Sequence, residues 1–374
     1  MLKNKIYNYL FSEIFKNFIT ILLTFTAISW TVRAVNFLDL MIEDGYSAVI
    51  YFNYTLLNIS AIVTRFIPLS FLLAMIISIS KFEEQKELLI LWTAGLNKMK
   101  IANIFFLIGF IVAIFQIILS VIVNPFTLNQ SRTLLRETEV KQVSSVLKSN
   151  DFSDAFKGIT FYVGKKNINN ELINVFIKDN TGSLSLIVDE ARNSKNTTIF
   201  AEKGVILKNK LILLNGIIQT LNSKNEIRNI DFKKTELSIA NFSNRTIKQP
   251  KIQETSSLTL LRCLKDSSQN CKFLNNKKIV VETLSRRMGM PLYIPLIALI
   301  SSFLLIYQKE GKYISLKKYI IFMISFIILI FAEIILRYVG FSLVNFILYF
   351  LSPLILSIIL YFLLSKTMTS EKIR

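Results

Sequence analysis

Four charged residues stand inside long apolar stretches of the sequence: Arg33, Arg65, Glu333 and Arg337. A charge at such depth is costly unless it faces a cavity or a partner, so each is a candidate functional residue. Guanidinium groups bind phosphate oxygens in a bidentate manner. Three Arg at one level therefore predict a site for an anionic lipid headgroup. The alternative is that Glu333 and Arg337 pair along one helix while the other two Arg snorkel to the membrane surface.

A second candidate site is the segment 82–95, between the second and third apolar stretches. Acidic residues come first, an apolar stripe follows at helical spacing, and a glycine stands where a helix would end. This pattern predicts a short amphipathic helix. Anionic headgroups would repel its acidic face, which favours docking to a protein partner over resting on the membrane. The residues predicted to make this contact are Glu84, Glu87, Leu91, Trp92 and Gly95.

The composition excludes most catalytic chemistry. The sequence has no His and 2 Cys, which removes imidazole general bases, Ser-His-Asp triads and Cys/His zinc sites. The nearest approach to a phosphate-binding loop, residues 158–166, has one residue too many and the pattern of a strand, so another subunit would have to bind any ATP. We expect no catalytic residue, metal or cofactor in this chain. A disulfide between Cys263 and Cys271 is as compatible with the sequence as two free thiols.

Six apolar stretches are long enough to place these residues in a membrane. A transmembrane helix needs roughly 20 apolar residues, and the 374-residue chain is 52% hydrophobic with a mean hydropathy of +0.48, above the level of a soluble protein. A long polar insert separates the third stretch from the fourth. The stretches are Phe18–Val35, Leu56–Ile79, Ile101–Val123, Met290–Tyr307, Tyr319–Tyr338 and Phe346–Leu364.

The polar insert is predicted to be a β-domain. Short apolar runs recur in it, with turn residues such as Asn180–Gly182 between them, as in an antiparallel sandwich or jelly roll. Helices are predicted for Leu258–Leu264 and for Lys277–Arg287, the second leading into the fourth membrane helix. The candidate strands are Ile159–Val163, Ile173–Ile177, Leu184–Val188, Thr198–Ala201 and Leu211–Leu214.

The distribution of lysines predicts the orientation. The loop after the first stretch has acidic residues and no Lys or Arg, whereas Lys is frequent at both termini and in the loops after the second and fourth stretches. The positive-inside rule therefore places both termini in the cytoplasm and the insert in the periplasm of a bacterial inner membrane. The net charge of +19 favours anionic partners. Nucleic acid is disfavoured, because the insert lies outside and lacks interleaved stacking aromatics.

These predictions describe an α-helical polytopic membrane protein with six transmembrane helices and an inserted, periplasmic, β-jellyroll-like domain. Residues 1–125 would hold helices one to three with the segment 82–95, residues 126–275 the β-domain, and residues 276–374 helices four to six.

With these features the chain resembles the LptF/LptG permease family of lipopolysaccharide export over nearly its whole length. The most specific matches are Pro68–Leu73, similar to the family's P-L-S-x-L-L, and Glu87–Leu96, similar to its acidic residue followed by A-x-G-[LIV]. Arg287 matches the Arg of a W-R pair before the fourth helix, and Ala201–Gly216 resembles the strand and turn signatures of Lpt jelly rolls. The segment Ala34–Gly45 is closer to LptF than to LptG.

Two departures from the family pattern affect individual residues. Where the family has Glu-Ser-Glu, this chain has Gln85, Lys86 and Glu87, so the first acidic contact has either moved to Glu84 or been lost. The Trp of the W-R pair is Arg286 here. Neither change alters the expected architecture.

The resemblance implies a permease subunit of an ABC transporter. Its expected partners are a second permease subunit of the same family, a dimer of the ATPase LptB, LptC and lipopolysaccharide. ATP hydrolysis in LptB would act through the coupling helix to squeeze the lipid out of the cavity between the subunits toward LptC and LptA. The main alternative is a non-transporting, membrane-anchored scaffold for envelope proteins, which would need no charges within the membrane. An intramembrane enzyme is a third, limited by the absence of His and of paired intramembrane Asp.

Overall fold

Six helical spans, among the residues that the structure describes, are long and apolar enough to cross a membrane. Each coincides with a predicted apolar stretch, and a β-sheet is inserted between the third and fourth, so the predicted polytopic fold with a β-domain is confirmed. The spans are Lys5–Ile42, Ala48–Glu84, Lys98–Leu135, Lys277–Leu305, Leu316–Tyr338 and Leu343–Thr369. The structure, a computed structural model, describes residues 2–42, 46–146, 149–156, 158–167, 171–180, 194–207, 210–222, 227–238, 251–265, 277–306 and 313–370.

The chain divides into two compact units. The first, called here the helical unit, consists of Met1–Arg33, Leu57–Asn129 and Lys251–Arg374. The second, the β-unit, consists of Ala34–Leu56 and Gln130–Pro250.

The helices before the sheet build the first three spans. In the third span, a π-helix at Leu119–Val123 joins the two α-helices on either side of it without a break. Pro68 lies inside another, where its missing N–H and its buried ring are accommodated within the bundle. These helices are α1 (Leu2–Asn36), α2 (Asp39–Ile42), α3 (Ala48–Leu57), α4 (Ile59–Glu84), α5 (Glu87–Thr93), α6 (Lys98–Ile118) and α7 (Asn124–Val146).

The helices after the sheet include both helices predicted outside the apolar stretches. The fourth span is divided by short 3-10 turns at Met290–Leu292 and Phe303–Leu305, and Pro291 in the first turn lacks the N–H that a continuous α-helix would use. The helices are α8 (Ser257–Lys265), α9 (Lys277–Gly289), α10 (Tyr293–Ser302), α11 (Tyr313–Tyr338) and α12 (Leu343–Ser370).

Helix α10 is the centre of the helical unit. All of its residues are buried, and its apolar side chains share one core with residues of α4 and α6 such as Phe71 and Phe105. Gly109 of α6 lets the two backbones approach, since a Cβ there would lie 3.0 Å from the Cβ of Ala298. A helix that is apolar all round and buried all round is typical of the middle of a membrane bundle.

A polar seam crosses this apolar core beside the π-helix. Gln116 donates to the carbonyl of Thr64 at 3.1 Å, and Asn124 donates to the hydroxyl of Thr64 at 2.8 Å. The hydroxyl of Ser120 donates to the carbonyl of Arg287 at 2.7 Å. Because water is excluded from such a core, these bonds join the third span firmly to α4 and α9.

In the described part of the β-unit, six strands form an antiparallel sheet in which they lie in chain order. Alternate residues of the strands are buried, as in Ile159, Phe161 and Val163, which explains the period of two in the sequence. The predicted run Leu184–Val188 lies outside the described residues. The strands are β1 (Asp151–Phe156), β2 (Ile159–Lys166), β3 (Glu171–Asp179), β4 (Ser194–Leu207), β5 (Lys210–Asn222) and β6 (Ile227–Ser238).

An exposed ion-pair network lies across β5 and β6. Glu236 is 3.0 Å from Lys210 Nζ and 3.2 Å from Lys234 Nζ. Hydrogen bonds from these two ammonium groups lower the pKa of the Glu236 carboxyl below its usual value. The carboxylate therefore stays charged at a pH where an unpaired Glu would already be protonated.

Candidate functional site

One end of the helical unit is marked by lysines that pair with acidic residues of neighbouring helices. Lys81 pairs with Glu13 of α1, and Lys318 of α11 lies 3.2 Å from Glu83 of α4. We call this the lysine-bearing end. It provides a reference level from which the depth of other residues along the spans can be counted.

Arg33, Arg65 and Glu333 lie at a common depth. Each is 15 to 17 residues along its helix from Lys16, Lys81 or Lys318, which corresponds to roughly 22–26 Å at 1.5 Å per residue. Since the hydrocarbon core of a bilayer is about 30 Å thick, all three lie near the boundary opposite the lysine-bearing end.

The structure brings these three residues together and adds a fourth, Arg286 of α9. Arg286 Nη1 lies 2.6 Å from Glu333 Oε1, and its Nη2 lies 3.6 Å from Glu282 Oε1 one turn earlier. Arg65 is within electrostatic range of Arg33 and Arg286, which repel it, and of Glu333, which attracts it. We call Arg33, Arg65, Arg286 and Glu333 the arginine cluster. Even with the carboxylate of Glu282 counted beside that of Glu333, the three guanidinium groups leave an excess of positive charge, which suits the cluster to an anionic group.

Arg337 was predicted to belong to this group. It follows Glu333 by one turn on α11, and its side chain is exposed. The structure shows the Glu333 carboxylate bonded across to α9, to Arg286.

The predicted amphipathic helix at the lysine-bearing end is divided in two. Glu84 ends α4 and Glu87 begins α5, and between them Lys86 adopts a left-handed conformation with φ of 58°. This backbone conformation is rare for any residue other than glycine, and it marks a sharp break between α4 and α5. At the other end of α5, Gly95 at φ of 80° caps the helix as predicted. Its N–H donates to Trp92 O, and that of Leu96 donates to Leu91 O, a Schellman motif.

The acidic residues of this segment have partners within the chain. Glu84 lies 3.6 Å from Lys318 Nζ but leaves most of its side chain exposed. Glu87 accepts a hydrogen bond of 2.9 Å from the hydroxyl of Tyr9 on α1. Both carboxylates therefore already hold α4 and α5 against neighbouring helices.

The apolar residues of α5 divide between the core and the surface. Leu91 and Trp92, the predicted contact residues, pack instead against the chain's own core. Leu89 and Ile90 face outward, and Ile90 is 62% exposed. The turn of α5 available to a partner is thus the one that carries Leu89 and Ile90, because packing against α4 uses the opposite side.

Comparison with known proteins shows which protein family has this sequence and architecture. The sequence profile of the family described as lipopolysaccharide export system permease LptF/LptG matches residues 8–367, nearly the whole chain. The chain belongs to the LptF/LptG family. It is also similar to an uncharacterized protein of Rickettsia prowazekii (strain Madrid E), with 22% identity over 290 residues that cover 76% of this chain and 77% of the relative. The protein is thus an inner-membrane permease of lipopolysaccharide export.

Arg287 of the permease, the residue matched to the family's W-R pair, is a structural anchor. It is buried, and its guanidinium donates to Gln253 O at 2.8 Å, Thr255 O at 3.1 Å and the Ser257 hydroxyl at 2.7 Å. These oxygen atoms accept hydrogen bonds from the buried guanidinium, so the segment before α8 is held around one side chain of α9.

The β-unit of the permease carries a row of three aromatic side chains and one isoleucine on the face opposite its core. Tyr162, Phe176, Phe200 and Ile217 occupy neighbouring strands in one register. They line a cavity of about 880 Å³ together with polar residues such as Glu202. Large apolar side chains on the face opposite the core are the signal that marks it as a surface with a function.

The remaining predictions of sites concern cysteine and metal. Cys263 lies near the end of α8 and is not a free thiol, whereas Cys271 lies outside the described residues, so the disulfide stays a prediction. Within the described ranges, no group of three or more Cys, Asp or Glu is placed to hold a metal ion.

Proposed function

We propose that this chain is the LptF-type subunit of an ABC transporter that extracts lipopolysaccharide from the inner membrane and passes it to a periplasmic bridge. A separate ATPase, LptB, would supply the energy, and a second permease subunit would complete the membrane cavity. Both termini would be cytoplasmic, with the β-unit in the periplasm beside LptC. The observation that carries this proposal is the arginine cluster, whose positive charge lies at the depth of a headgroup.

The cluster would bind the phosphate groups of the lipid. Arg33 and Arg65 of the cluster, and Arg337 one turn beyond Glu333 on α11, are the proposed phosphate ligands, because guanidinium forks bind phosphate oxygens bidentately and an unbalanced charge at this depth needs an anion. Glu333 Oε1 lies 2.6 Å from Nη1 of Arg286. A phosphate entering the cluster would compete with this carboxylate, which would help the lipid to leave again once the cavity closes.

Coupling to the ATPase would pass through α5 and α4. Leu89 and Ile90 form the exposed apolar turn that we propose to enter a groove of LptB, with Glu84 and Glu87 beside it meeting basic residues of the ATPase. Leu91, Trp92 and Gly95 would then hold α5 in position from within. Helix α4 carries Arg65 and ends at Glu84, just before the break at Lys86 that leads into α5. A displacement of α5 would therefore be transmitted through α4 to the arginine cluster.

The test is ATP-driven release of lipopolysaccharide from proteoliposomes that contain the assembled permease pair and its ATPase. Arg65→Gln should reduce release to a soluble periplasmic acceptor by about tenfold, the cost of one charged hydrogen-bonded contact, while assembly and basal ATP hydrolysis persist. Arg228→Gln on the exposed surface of β6 is the matched control. Unchanged release by the Arg65 variant would contradict the proposal, and complexes that assemble without any release would favour a scaffold.

A further inference from the structure

Helix α8 is attached to the helical unit at a defined depth. The hydroxyl of Ser257, its first residue, donates to the carbonyl of Val121 in the π-helix at 3.0 Å and accepts from Arg287 at 2.7 Å. Leu260 is fully buried against Val280 and Leu284 of α9. One side of α8 is therefore fixed to the outer parts of the third and fourth spans.

The other side of α8 presents a second apolar stripe that the helical unit leaves uncovered. Leu258 is 69% exposed and Leu261 is 47% exposed. They lie three residues apart on one face of the helix. Arg262, also exposed, continues the same face, and Lys265 stands in the sequence where the next turn of that face would be. A short helix with an apolar start and a basic end on one face has the composition of an interfacial membrane helix.

The depth of α8 agrees with a position at the membrane surface. Val121 follows Ile101, the first apolar residue of the third span, by 20 residues, or roughly 30 Å, the thickness of the hydrocarbon core. Exposed Ile122 and Phe126 continue the lipid-facing surface of that span beside Val121. Helix α8 thus begins at the depth where the exposed apolar residues of the third span reach the membrane surface.

The aromatic residues at the end of α11 mark the same boundary independently. Tyr338 follows Lys318 by 20 residues, again roughly 30 Å from the lysine-bearing end. Tyr338 and Phe341 are exposed, and Lys278 of α9 lies over the ring of Phe341. Exposed aromatic rings next to a lysine are typical of the interface between acyl chains and headgroups.

We propose that α8 is an interfacial helix that inserts Leu258 and Leu261 between the lipids of the leaflet opposite the lysine-bearing end. Arg262 contacts anionic phospholipid headgroups there. Lipid fits this stripe better than a protein partner, since the first residue of α8 is bonded to Val121, the neighbour of exposed Ile122 in the third span, and the exposed face of α8 also carries the basic Arg262. The proposal concerns bulk membrane lipid and is independent of the transport function proposed above.

The experiment places a photocrosslinking amino acid at Leu258 of the full-length chain, assembled with its partner subunits in nanodiscs. The nanodiscs contain phosphatidylethanolamine, phosphatidylglycerol and lipopolysaccharide, and mass spectrometry identifies the adducts. Phospholipid adducts should exceed those from the matched position Lys251, which is exposed just before α8, by at least fivefold. Equal yields, or adducts that are mainly protein or lipopolysaccharide, would overturn the proposal. Position Leu261 serves the same purpose if the chain does not tolerate the change at Leu258.

A second variant tests the basic end of the stripe. Arg262→Gln should lower the ratio of phosphatidylglycerol to phosphatidylethanolamine adducts by about fivefold, the change expected for one basic residue near an anionic surface at ~1 kcal/mol. Export activity in the same preparations is the readout that separates this proposal from the function. Lipid adducts without export would refute the transport function and leave the interfacial helix intact, whereas an unchanged ratio would refute the headgroup contact.

Discussion

The guanidinium of Arg286 and the carboxylate of Glu333 join the fourth span to the fifth, with Nη1 and Oε1 2.6 Å apart. The family pattern that this chain resembles has a Trp where Arg286 stands, so a side chain that can form an ion pair occupies this position here. Both side chains are partly exposed, at 40% and 37%. The pair is therefore accessible to other anions as well as to each other.

The first prediction concerns this pair. Arg286→Trp should reduce the stability of the permease by about 1 kcal/mol, because Glu333 then lacks its partner, and partial exposure limits the cost. Adding Glu333→Gln should restore most of the loss, since the carboxylate that lost the 2.6 Å contact is then neutral, and only the longer contact of 3.6 Å to Glu282 stays broken. Thermal unfolding of the purified complex measures both variants. Strictly additive losses in the double variant would show that the two side chains do not interact.

The second prediction concerns Arg33. Arg33→Glu should reduce lipopolysaccharide export by tenfold or more, the range expected when a charged hydrogen-bonded contact is removed, while the complex assembles and hydrolyses ATP. Arg33→Lys should be milder, because the charge is kept and only the fork is lost. ATP-driven release from proteoliposomes measures both. If glutamate and lysine at position 33 give equal export, Arg33 does not contact the lipid.

The third prediction concerns the exposed turn of α5. Ile90→Asp should weaken copurification of the ATPase by about tenfold, as expected when an apolar anchor of an interface is replaced by a charge. Ile90→Leu is the control that keeps an apolar side chain of the same size. Full copurification and coupled hydrolysis by the aspartate variant would exclude Ile90 from the contact.

The fourth prediction concerns the acidic residues beside that turn. The double change Glu84→Lys plus Glu87→Lys should uncouple ATP hydrolysis from export, because it reverses the charge offered to the ATPase. Tyr9→Phe removes the hydrogen bond to Glu87 within the chain and should have little effect on coupling. Normal export by the double variant would assign both carboxylates to internal pairing alone.

The fifth prediction concerns topology. Cysteine at position 100 should be protected from a membrane-impermeant thiol reagent in intact cells, whereas cysteine at position 234 should be labelled, as the lysine distribution requires. Both positions carry exposed lysines in the native chain. Permeabilised cells should label both, and the parent chain gives the background. Labelling at position 100 in intact cells would reverse the proposed orientation.

The spans and strands were predictable because the patterns that specify them are local. Length and hydropathy define each membrane helix, and a period of two defines each strand with one buried face. The common depth of Arg33, Arg65 and Glu333 also follows from counting residues along helices. Gly95 was identifiable as a helix cap because glycine at the end of an apolar stripe readily adopts the positive φ of a Schellman motif.

The rest depended on packing between distant elements. For Glu333, the sequence offered Arg337 as a partner only as the alternative to a headgroup site, because only neighbours on one helix are visible to a spacing argument. The observed partner, Arg286, is 47 residues away and reaches Glu333 through the contact of α9 with α11. Likewise, helical spacing identified the apolar residues of α5 but not which side packs against the core. The break at Lys86 was hidden, because lysine gives no sequence signal for a left-handed conformation.

The π-helix in the third span sets the direction in which Asn124 points relative to Gln116. Gln116 and Asn124 are eight residues apart, and in a regular α-helix they would point roughly 80° away from each other. The wider turn absorbs one residue, which leaves them about 20° apart, and both reach Thr64. A single-residue deletion in this segment would convert it to an ordinary helix and keep the two side chains about 20° apart, whereas a residue added before Asn124 would turn Asn124 away from Thr64. Natural variation between Gln116 and Asn124 should therefore include substitutions and the loss of one residue, but no insertion.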